Sequence, residues 1–285
     1  MPGDTAATEL IRPPDLSLVM PALNEEAVVA ATIRDLLVAF ERHGHVLEVV
    51  AVDNGSRDRT GEILRELAST DRRVVPVRVE VNQGYGFGIL SGLPRASAPW
   101  VGIICADGQV EAGDVVKLFE ATRRDAAATG ARDDARPTLF KVRRRFRQDG
   151  LKRKLVSVAY NFGTALLFGG LGTLDVNGNP KLFPRELLPR FALCSKDWFL
   201  DAEIMIKAKK LGLRVVEVNV FGQLRRGGTS NVRATTCFEF ARNLLSCRFG
   251  DDPRARLRDA ATTDAAVAPG PTPSATAGSA AARGS

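Results

Sequence analysis

Short runs of β-branched and aliphatic residues alternate with longer amphipathic stretches in the first hundred residues of the chain. Apolar runs occur at Leu16–Met20, Val46–Asp53, Val74–Val79 and Trp100–Cys105. Between the first two, Glu25–Arg42 places its apolar residues on one side of a helix. This alternation predicts βαβ units, and hence an α/β fold with a mostly parallel, twisted sheet and helices on both faces.

Two segments without such a pattern flank this region. Residues 251–285 contain no aromatic residue and are rich in Ala, Pro, Thr, Ser and Gly. Such a segment buries too little apolar surface to offset the entropy lost on ordering, so we predict a disordered tail. Residues 1–15 are predicted to be disordered as well. One folded domain over residues 16–250 remains, which is within the size of a single core.

The composition is that of a soluble globular protein, with 45% hydrophobic and 26% charged residues. A net charge of +7 suits a polyanionic partner, which could be nucleic acid, a diphosphate ligand or an anionic lipid surface. Four cysteines without a CxxC pair and two histidines give no zinc-site spacing. No secretory signal precedes the first strand, so we expect a cytoplasmic protein with reduced thiols.

Polar residues end each predicted strand, and ligands of parallel sheets bind at the carboxyl ends of strands. Asp53 closes the second strand, where its carboxylate could accept a hydrogen bond from a nucleobase N–H; the alternative is that it caps the next helix. Glu25 follows the first strand, where its charge could complement the dipole of the helix that follows.

Asp107 and Gln109 follow the fourth strand with Gly108 between them. Two oxygen-bearing side chains at this spacing can converge on one hard cation, so we predict a site for Mg²⁺ or Mn²⁺ that leaves positions open for phosphate oxygens. The alternative is a plain Asp-Gly β-turn.

The glycine-rich segment Asn82–Gly88 follows the third strand rather than the first and lacks the spacing GxGxxG. A Rossmann dehydrogenase is therefore disfavoured. We expect these glycines to allow close approach of the backbone to a nucleotide or to a neighbouring strand.

Leu155–Leu174 is uncharged and has the length of a membrane span, although a buried or interface-lying helix is the favoured interpretation. Basic residues precede it, in Lys141–Arg147 and again at Lys152, Arg153 and Lys154. This cluster is either a solvated face or a binding surface for phosphates of a donor or lipid. With Phe146 as its one aromatic residue, it gives little support for nucleic-acid binding.

Five motifs occur together in order: VMPALNEE, VVAVDNGSRDRT, NQGYGFG, ICADGQ and RRGGTSNV. Over roughly residues 16–235 the chain resembles inverting family 2 glycosyltransferases, and most of all the polyprenyl-phosphate sugar synthases typified by dolichyl-phosphate mannose synthase. The resemblance implies a GT-A-type, Rossmann-like fold. It also implies transfer of a sugar, with inversion, from a nucleoside diphosphate donor to a polyprenyl phosphate at a membrane surface.

The resemblance also assigns roles to individual residues. Asp107, Asp201 and Arg225 become catalytic, with Arg225 neutralising phosphate charge. Asp201 would take a proton from an acceptor hydroxyl, and helix capping is its alternative role. The residues expected to bind the donor and its ion are Pro21, Leu23, Glu25, Asp53, Gly84, Asp107, Gln109, Arg144 and Arg225.

The sequence departs from the family pattern at two positions: Cys105 replaces the first acid of the metal motif, and Asn231 stands where a lysine is common. Two other functions therefore stay open beside the lipid acceptor. One is a soluble transferase that acts on a hydroxyl of a small molecule or natural product. The other is a non-catalytic regulator that binds nucleotide sugars. We expect a cytoplasmic protein, and an enzyme with the lipid acceptor would visit the inner membrane face. The oligomeric state is left open.

Overall fold

A computed structural model of the chain describes residues 12–129, 136–146, 163–164, 166–173, 175–221, 242 and 244–245. The predicted tail 251–285 lies outside them, as do residues 1–11 of the predicted disordered amino terminus. At the end of that segment, the Asp15 backbone N–H donates to the Val46 carbonyl at 2.8 Å.

Within the described residues, seven strands form one mixed sheet with the order β3-β2-β1-β4-β6-β5-β7. β6 is antiparallel to both of its neighbours, and the other pairings are parallel. The predicted mostly parallel α/β sheet is therefore confirmed. The strands are β1 (Leu16–Ala22), β2 (Leu47–Asn54), β3 (Val74–Val79), β4 (Trp100–Ile103), β5 (Thr138–Phe146), β6 (Lys181–Pro184) and β7 (Arg214–Phe221).

Two apolar clusters, one on each side of the sheet strands, make up the core. Strand residues alternate between them, as Leu18 and Val19 do, because successive side chains point to opposite faces. The named α-helices that cover the sheet are α1 (Val29–Arg42), α2 (Thr60–Thr70), α3 (Tyr85–Gly92), α4 (Ala112–Thr129), α5 (Leu188–Phe191) and α6 (Leu200–Lys210).

Besides shifts of one or two residues at the ends of β1 and β2, two predicted boundaries differ from the structure. The first helix begins at Val29 rather than at Glu25, because the Glu25 carbonyl instead accepts the N–H groups of Val28 and Val29 in a preceding turn. β4 ends at Ile103, two residues short of Cys105, because its pairing with β1 ends there and the chain leaves the sheet. Both differences lengthen the loops at the carboxyl ends of these strands.

Half of Leu155–Leu174 lies outside the described residues, which include 163–164 and 166–173 of it. In the described part of the chain, no helix combines the length and apolar character needed to cross a bilayer.

Candidate active site

The loops that follow β1, β2 and β4 leave the sheet at the same edge. In the parallel register, Ala22 of β1 lies opposite Asp53 of β2, and Val19 lies opposite Ile103 of β4. β1 is the central strand of the three, so its loop lies between the other two. The predicted polar strand ends are thereby brought to one edge of the sheet, as the parallel topology requires.

Asp53 is 2% exposed and is held on both oxygens. Its Oδ1 accepts the backbone N–H of Ser56 at 2.9 Å, and its Oδ2 forms an ion pair with Arg78 of β3. Arg78 is 42% exposed, so this buried carboxylate is adjacent to a cation that solvent reaches. The bond to Ser56 stabilises the turn after β2. It does not cap α2, which begins at Thr60, so the alternative prediction that Asp53 caps this helix is wrong.

The loop after β1 is tied to the loop after β2. The Glu25 N–H donates to Thr60 Oγ1 at 2.9 Å, and Asn24, with a left-handed φ of 54°, accepts the Arg57 N–H at 2.9 Å. Glu25 itself is buried. Pro21 is buried within β1 and Leu23 is half-buried just beyond it. The structure thus places these predicted donor-binding residues beside Asp53.

Asp107 and Gln109 are both half-buried on the turn that follows β4. Asp107 Oδ1 accepts the Gln109 N–H at 3.2 Å, and Gly108 adopts the left-handed φ of 65° that the turn requires. The predicted turn and the predicted ligand pair are therefore compatible, because the hydrogen bond from the Gln109 backbone uses one carboxylate oxygen of Asp107 and does not involve the side-chain amide of Gln109.

The donor set of this turn, one carboxylate and one amide, is chemically suited to a hard divalent cation that takes its other ligands from phosphate and water. Among the described residues there is no cluster of three or more His, Cys, Asp or Glu side chains that could hold a metal on their own.

Burial, with the nearby charges of Asp107 and Asp201, raises the pKa of the Cys105 thiol to about 12.

The glycine-rich loop approaches the protein's own backbone. A Cβ on Gly84, whose φ is 117°, would lie 2.3 Å from the Lys196 carbonyl oxygen, and one on Gly86 would lie 2.3 Å from the Ser195 carbonyl oxygen. The Phe87 N–H donates to the same Lys196 carbonyl at 2.9 Å. The close approach predicted for these glycines is therefore made to the loop before α6.

A buried polar network that sequence reasoning missed lies behind this edge. Lys181 is 0% exposed and bonds to the carboxylate of Asp201, which is 3% exposed. Asn179 donates to Asp201 Oδ2 at 3.2 Å and to the Tyr85 hydroxyl at 3.1 Å. The sequence signal for it was a lysine in the otherwise apolar segment KLFP.

Asp201 and Glu203 lie in the first turn of α6 and have different partners. Glu203 accepts the backbone N–H of Ser195 at 2.8 Å and is paired with Lys207. Although burial disfavours its charge, Lys207 and these hydrogen bonds hold the pKa of Glu203 below its ordinary value. Asp201 does not cap the helix, since the residue that precedes α6 is Phe199.

Two members of the basic cluster are not solvated. Arg144 donates to Asp175 through Nε at 3.0 Å and Nη2 at 2.9 Å. Lys141 is 0% exposed and bonds to the Asp175 carbonyl at 2.6 Å and to Glu217 at 3.3 Å. The interpretation as a solvated basic face is wrong for these two residues, because both bond to Asp175 in the segment that leads into β6.

Several predicted residues lie outside the described part of the chain. They are Arg225 with the rest of RRGGTSNV, and the basic residues Lys152, Arg153 and Lys154.

The model of one protein family, glycosyl transferase family 2, matches residues 17–183. The chain belongs to this family. The matched segment contains the loops after β1, β2 and β4 that form this edge. Since the members of the family are glycosyltransferases, the chain is a glycosyltransferase by descent.

Relatives with assigned activities are distant. The chain is 26% identical to an undecaprenyl-phosphate 4-deoxy-4-formamido-L-arabinose transferase of Pectobacterium atrosepticum, over 82% of this chain and 67% of that enzyme. It is also 26% identical to a dolichyl-phosphate beta-glucosyltransferase of Trichomonas vaginalis, over 72% of this chain and 64% of that enzyme. Both names specify a polyprenyl-phosphate sugar transferase, the branch that the motifs resemble.

Solved structures confirm the GT-A-type fold. Glucosyl-3-phosphoglycerate synthase from Mycobacterium tuberculosis, in complex with phosphoglyceric acid, superimposes with a TM-score of 0.62 at 24% identity, over 84% of this chain and 82% of that one. The same enzyme with Mn²⁺, uridine diphosphate and glucosyl-3-phosphoglycerate gives a TM-score of 0.61 at 23% identity, with the same coverage.

Proposed function

We propose that this protein is a metal-dependent, inverting glycosyltransferase that moves a sugar from a nucleoside diphosphate donor to a polyprenyl phosphate. Membership of family 2 supports the reaction class. Two distant relatives whose names specify polyprenyl-phosphate acceptors support the acceptor. Such a reaction would take place at the cytoplasmic surface of a membrane that the protein visits.

The donor would bind at the shared edge of β1, β2 and β4. Asp53 and Glu25 would contact the base and ribose there, with Pro21 and Leu23 beside them, and Gly84 would border the site. Asp53 is already buried and ion-paired, so it can offer a fixed, charged acceptor to a nucleobase N–H. Arg78 would share this contact, since it lies against the same carboxylate.

Asp107 and Gln109 would hold Mg²⁺ or Mn²⁺ against the diphosphate. The bound ion would supply electrostatic stabilisation of the charge that builds on the departing diphosphate. Arg225 would add a permanently charged contact to the same group. Arg144 would act at longer range, because its guanidinium is already bound by Asp175.

The observation that carries the acceptor assignment is the burial of Asp201. A hydroxyl acceptor needs a base to remove its proton, and the base must lie within hydrogen-bonding reach of it. Asp201 is buried, and its two oxygens are bound by Lys181 and Asn179, which are buried as well. The pair of Asp53 with Arg78 differs in this respect, because solvent reaches Arg78. A phosphate acceptor is already ionised near pH 7, so it can attack the anomeric carbon directly without a protein base.

The test is an assay of nucleotide release from UDP-, GDP- and dTDP-sugars with Mg²⁺ or Mn²⁺, with and without a polyprenyl phosphate. We expect release from one donor to depend on both the cation and the lipid phosphate. Release that is stimulated equally by a neutral polyprenol would contradict the acceptor assignment. No release and no cation-dependent binding with any donor would contradict the enzyme.

A further inference from the structure

We infer that Asp201 is a positioning residue, and that together with Lys181, Asn179 and Tyr85 it holds the turn that carries Asp107. This inference rests on the proposed function, because it assigns a role in the same site. It differs from the role implied by the family resemblance, in which Asp201 receives a proton from the acceptor.

The network is a continuous chain of polar contacts from α6 to the turn after β4. Lys181 donates to Asp201 Oδ1 and to Asn179 Oδ1, the latter at 3.1 Å. Asn179 donates in turn to Asp201 Oδ2 and to the Tyr85 hydroxyl. The Tyr85 hydroxyl then contacts Cys105 Sγ at 3.8 Å, two residues before Asp107.

Packing fixes the orientation of Tyr85. Its ring stacks on Trp198 with a centroid separation of 4.2 Å and an angle of 10° between the planes. The flanking glycine, Gly86, has no room for a Cβ. The hydroxyl of Tyr85 can therefore move little, and its position is set by Asn179 at one side and Cys105 at the other.

The charges of Lys181 and Asp201 depend on each other. An ammonium group at 0% exposure is costly to bury unless an anion and hydrogen-bond acceptors surround it. Asp201 is the one acid in ion-pair contact with it in the described part of the chain. Protonating Asp201 during turnover would leave that buried charge without its anion, which argues against a base and for a permanent ion pair.

The decisive experiment compares Asp201→Asn, Lys181→Met and the double variant that carries both changes. Each single change leaves one buried charge of the pair without its partner, so we expect kcat to fall by about tenfold or more in both variants. Because the two residues are in contact, the effects of the two changes should not add in the double variant. The double variant removes both charges, while the amide introduced by Asp201→Asn can still bond to Asn179. We expect it to recover most of the lost kcat.

A catalytic base gives the opposite pattern. The double variant would then be no more active than Asp201→Asn, because neither contains the base. The pH profile of kcat separates the roles as well: a positioning residue leaves its shape unchanged in Asp201→Asn, whereas loss of a base removes the acidic limb. Failure of the double variant to exceed Asp201→Asn in activity would overturn the inference.

Tyr85→Phe provides a second test that leaves the ion pair intact. It removes only the hydroxyl between Asn179 and Cys105, so we expect a lower kcat with little change in the KM of the donor. The fluorescence of Trp198, which stacks on this ring, should report whether the ring stays in place. Unchanged kcat in Tyr85→Phe would show that the chain of contacts does not reach the Asp107 turn.

Glu48→Gln is the matched control. Glu48 is also a buried acid with side-chain partners, Ser17 and Ser97, but it lies at the opposite end of the sheet. We expect it to lower thermal stability without changing kcat or its pH profile. Binding of uridine, guanosine and thymidine diphosphates with Mn²⁺, measured by calorimetry on the wild type, separates the two proposals. No binding of any of them, together with no transfer, contradicts the proposed function. Normal transfer by the wild type, without recovery of kcat in the double variant, contradicts this inference alone.

Discussion

Asp107 is the one carboxylate in the turn from Cys105 to Gln109, so the proposed cation depends on it strongly. In Asp107→Asn, the amide keeps the size of the side chain and can still accept the Gln109 N–H. We expect transfer to fall by about 100-fold or more, a loss typical of removing one preorganised electrostatic contact. Steady-state kinetics against Mn²⁺ concentration would measure it.

Asp114→Asn is the control for Asp107→Asn. Asp114 lies in the first turn of α4, outside the turn from Cys105 to Gln109, and is paired with exposed Lys117. It should leave kinetics unchanged. If Asp107→Asn kept wild-type dependence on the cation, the ligand assignment of the turn would be wrong.

Cys105 offers a change in the opposite direction. Cys105→Asp adds a second carboxylate beside Asp107 and Asp201, whose negative charges already influence this position. Without a cation we expect a lower Tm than in the wild type, because like charges crowd a buried site. With Mn²⁺ we expect a larger rise in Tm and tighter Mn²⁺ binding, measurable by electron paramagnetic resonance.

Cys105→Ser serves as the reference for that comparison, since it replaces the thiol without adding charge. Equal Mn²⁺ affinity in Cys105→Asp and Cys105→Ser would place the cation elsewhere.

At the level of elements, α3 meets the loop before α6 at Gly86, where there is no room for a side chain. In Gly86→Ala the new Cβ would meet the carbonyl oxygens of Ser195 and Asp197 at 2.3 and 2.7 Å. Forcing a methyl group into packed backbone costs about 1–3 kcal/mol in the free energy of unfolding. Urea unfolding would measure this loss.

The matched change is Gly113→Ala in α4, where an added Cβ meets nothing within 4 Å. Alanine is the better helix former, so we expect the free energy of unfolding to stay the same or to rise by up to about 1 kcal/mol. Similar losses in both variants would show that crowding at Gly86 is not the cause.

The β5–β6 junction contains a lysine whose protonation opposes folding. Burial and the positive charge of Lys181 lower the pKa of Lys141 from its ordinary 10.5 to about 8, against the opposing influence of Asp175 and Glu217. Between pH 8 and 10.5 the unfolded chain binds more protons at this residue than the folded one. Stability due to Lys141 therefore increases as pH rises through that window and is constant below it.

Lys141→Met removes this dependence, so the difference in the free energy of unfolding between wild type and Lys141→Met should change with pH. We expect a change in favour of the wild type on the order of 2 kcal/mol from about pH 7.5 to about pH 9.5, measured by urea unfolding. A difference that does not vary with pH would mean that the folded-state pKa is ordinary.

These elements show where sequence reasoning succeeds and where it fails. β1 to β4 were predicted because buried parallel strands are continuous apolar runs. β5 was read as a basic surface, since KVRRRF carries its charges in sequence, yet Lys141 and Arg144 point to partners that are about 30 or more residues away. The contact of Asn179 with Tyr85 joins residues 94 positions apart. No local pattern contains such pairings.

At the scale of the whole molecule, the net charge is +7. At the strand-end edge, the acid Asp53 is neutralised by Arg78. Lys152, Arg153 and Lys154 directly precede the uncharged stretch Leu155–Leu174, an order suited to a phosphate head group followed by an apolar tail.

This arrangement predicts binding to anionic vesicles that depends on which charges are removed. A basic residue near such a surface contributes about 1 kcal/mol, so changing Lys152, Arg153 and Lys154 to Gln should weaken flotation with phosphatidylglycerol vesicles by roughly 100-fold. Changing the exposed Arg34, Arg42 and Arg65 of α1 and α2 to Gln removes the same charge from another surface and should have a much smaller effect. Raising the salt to about 1 M should abolish binding in every variant, because the screening length falls to about 3 Å. Equal losses in the two triple variants would mean that net charge alone attracts the protein to the vesicles. A wild type that does not float with the vesicles would contradict the prediction that the protein binds a membrane surface.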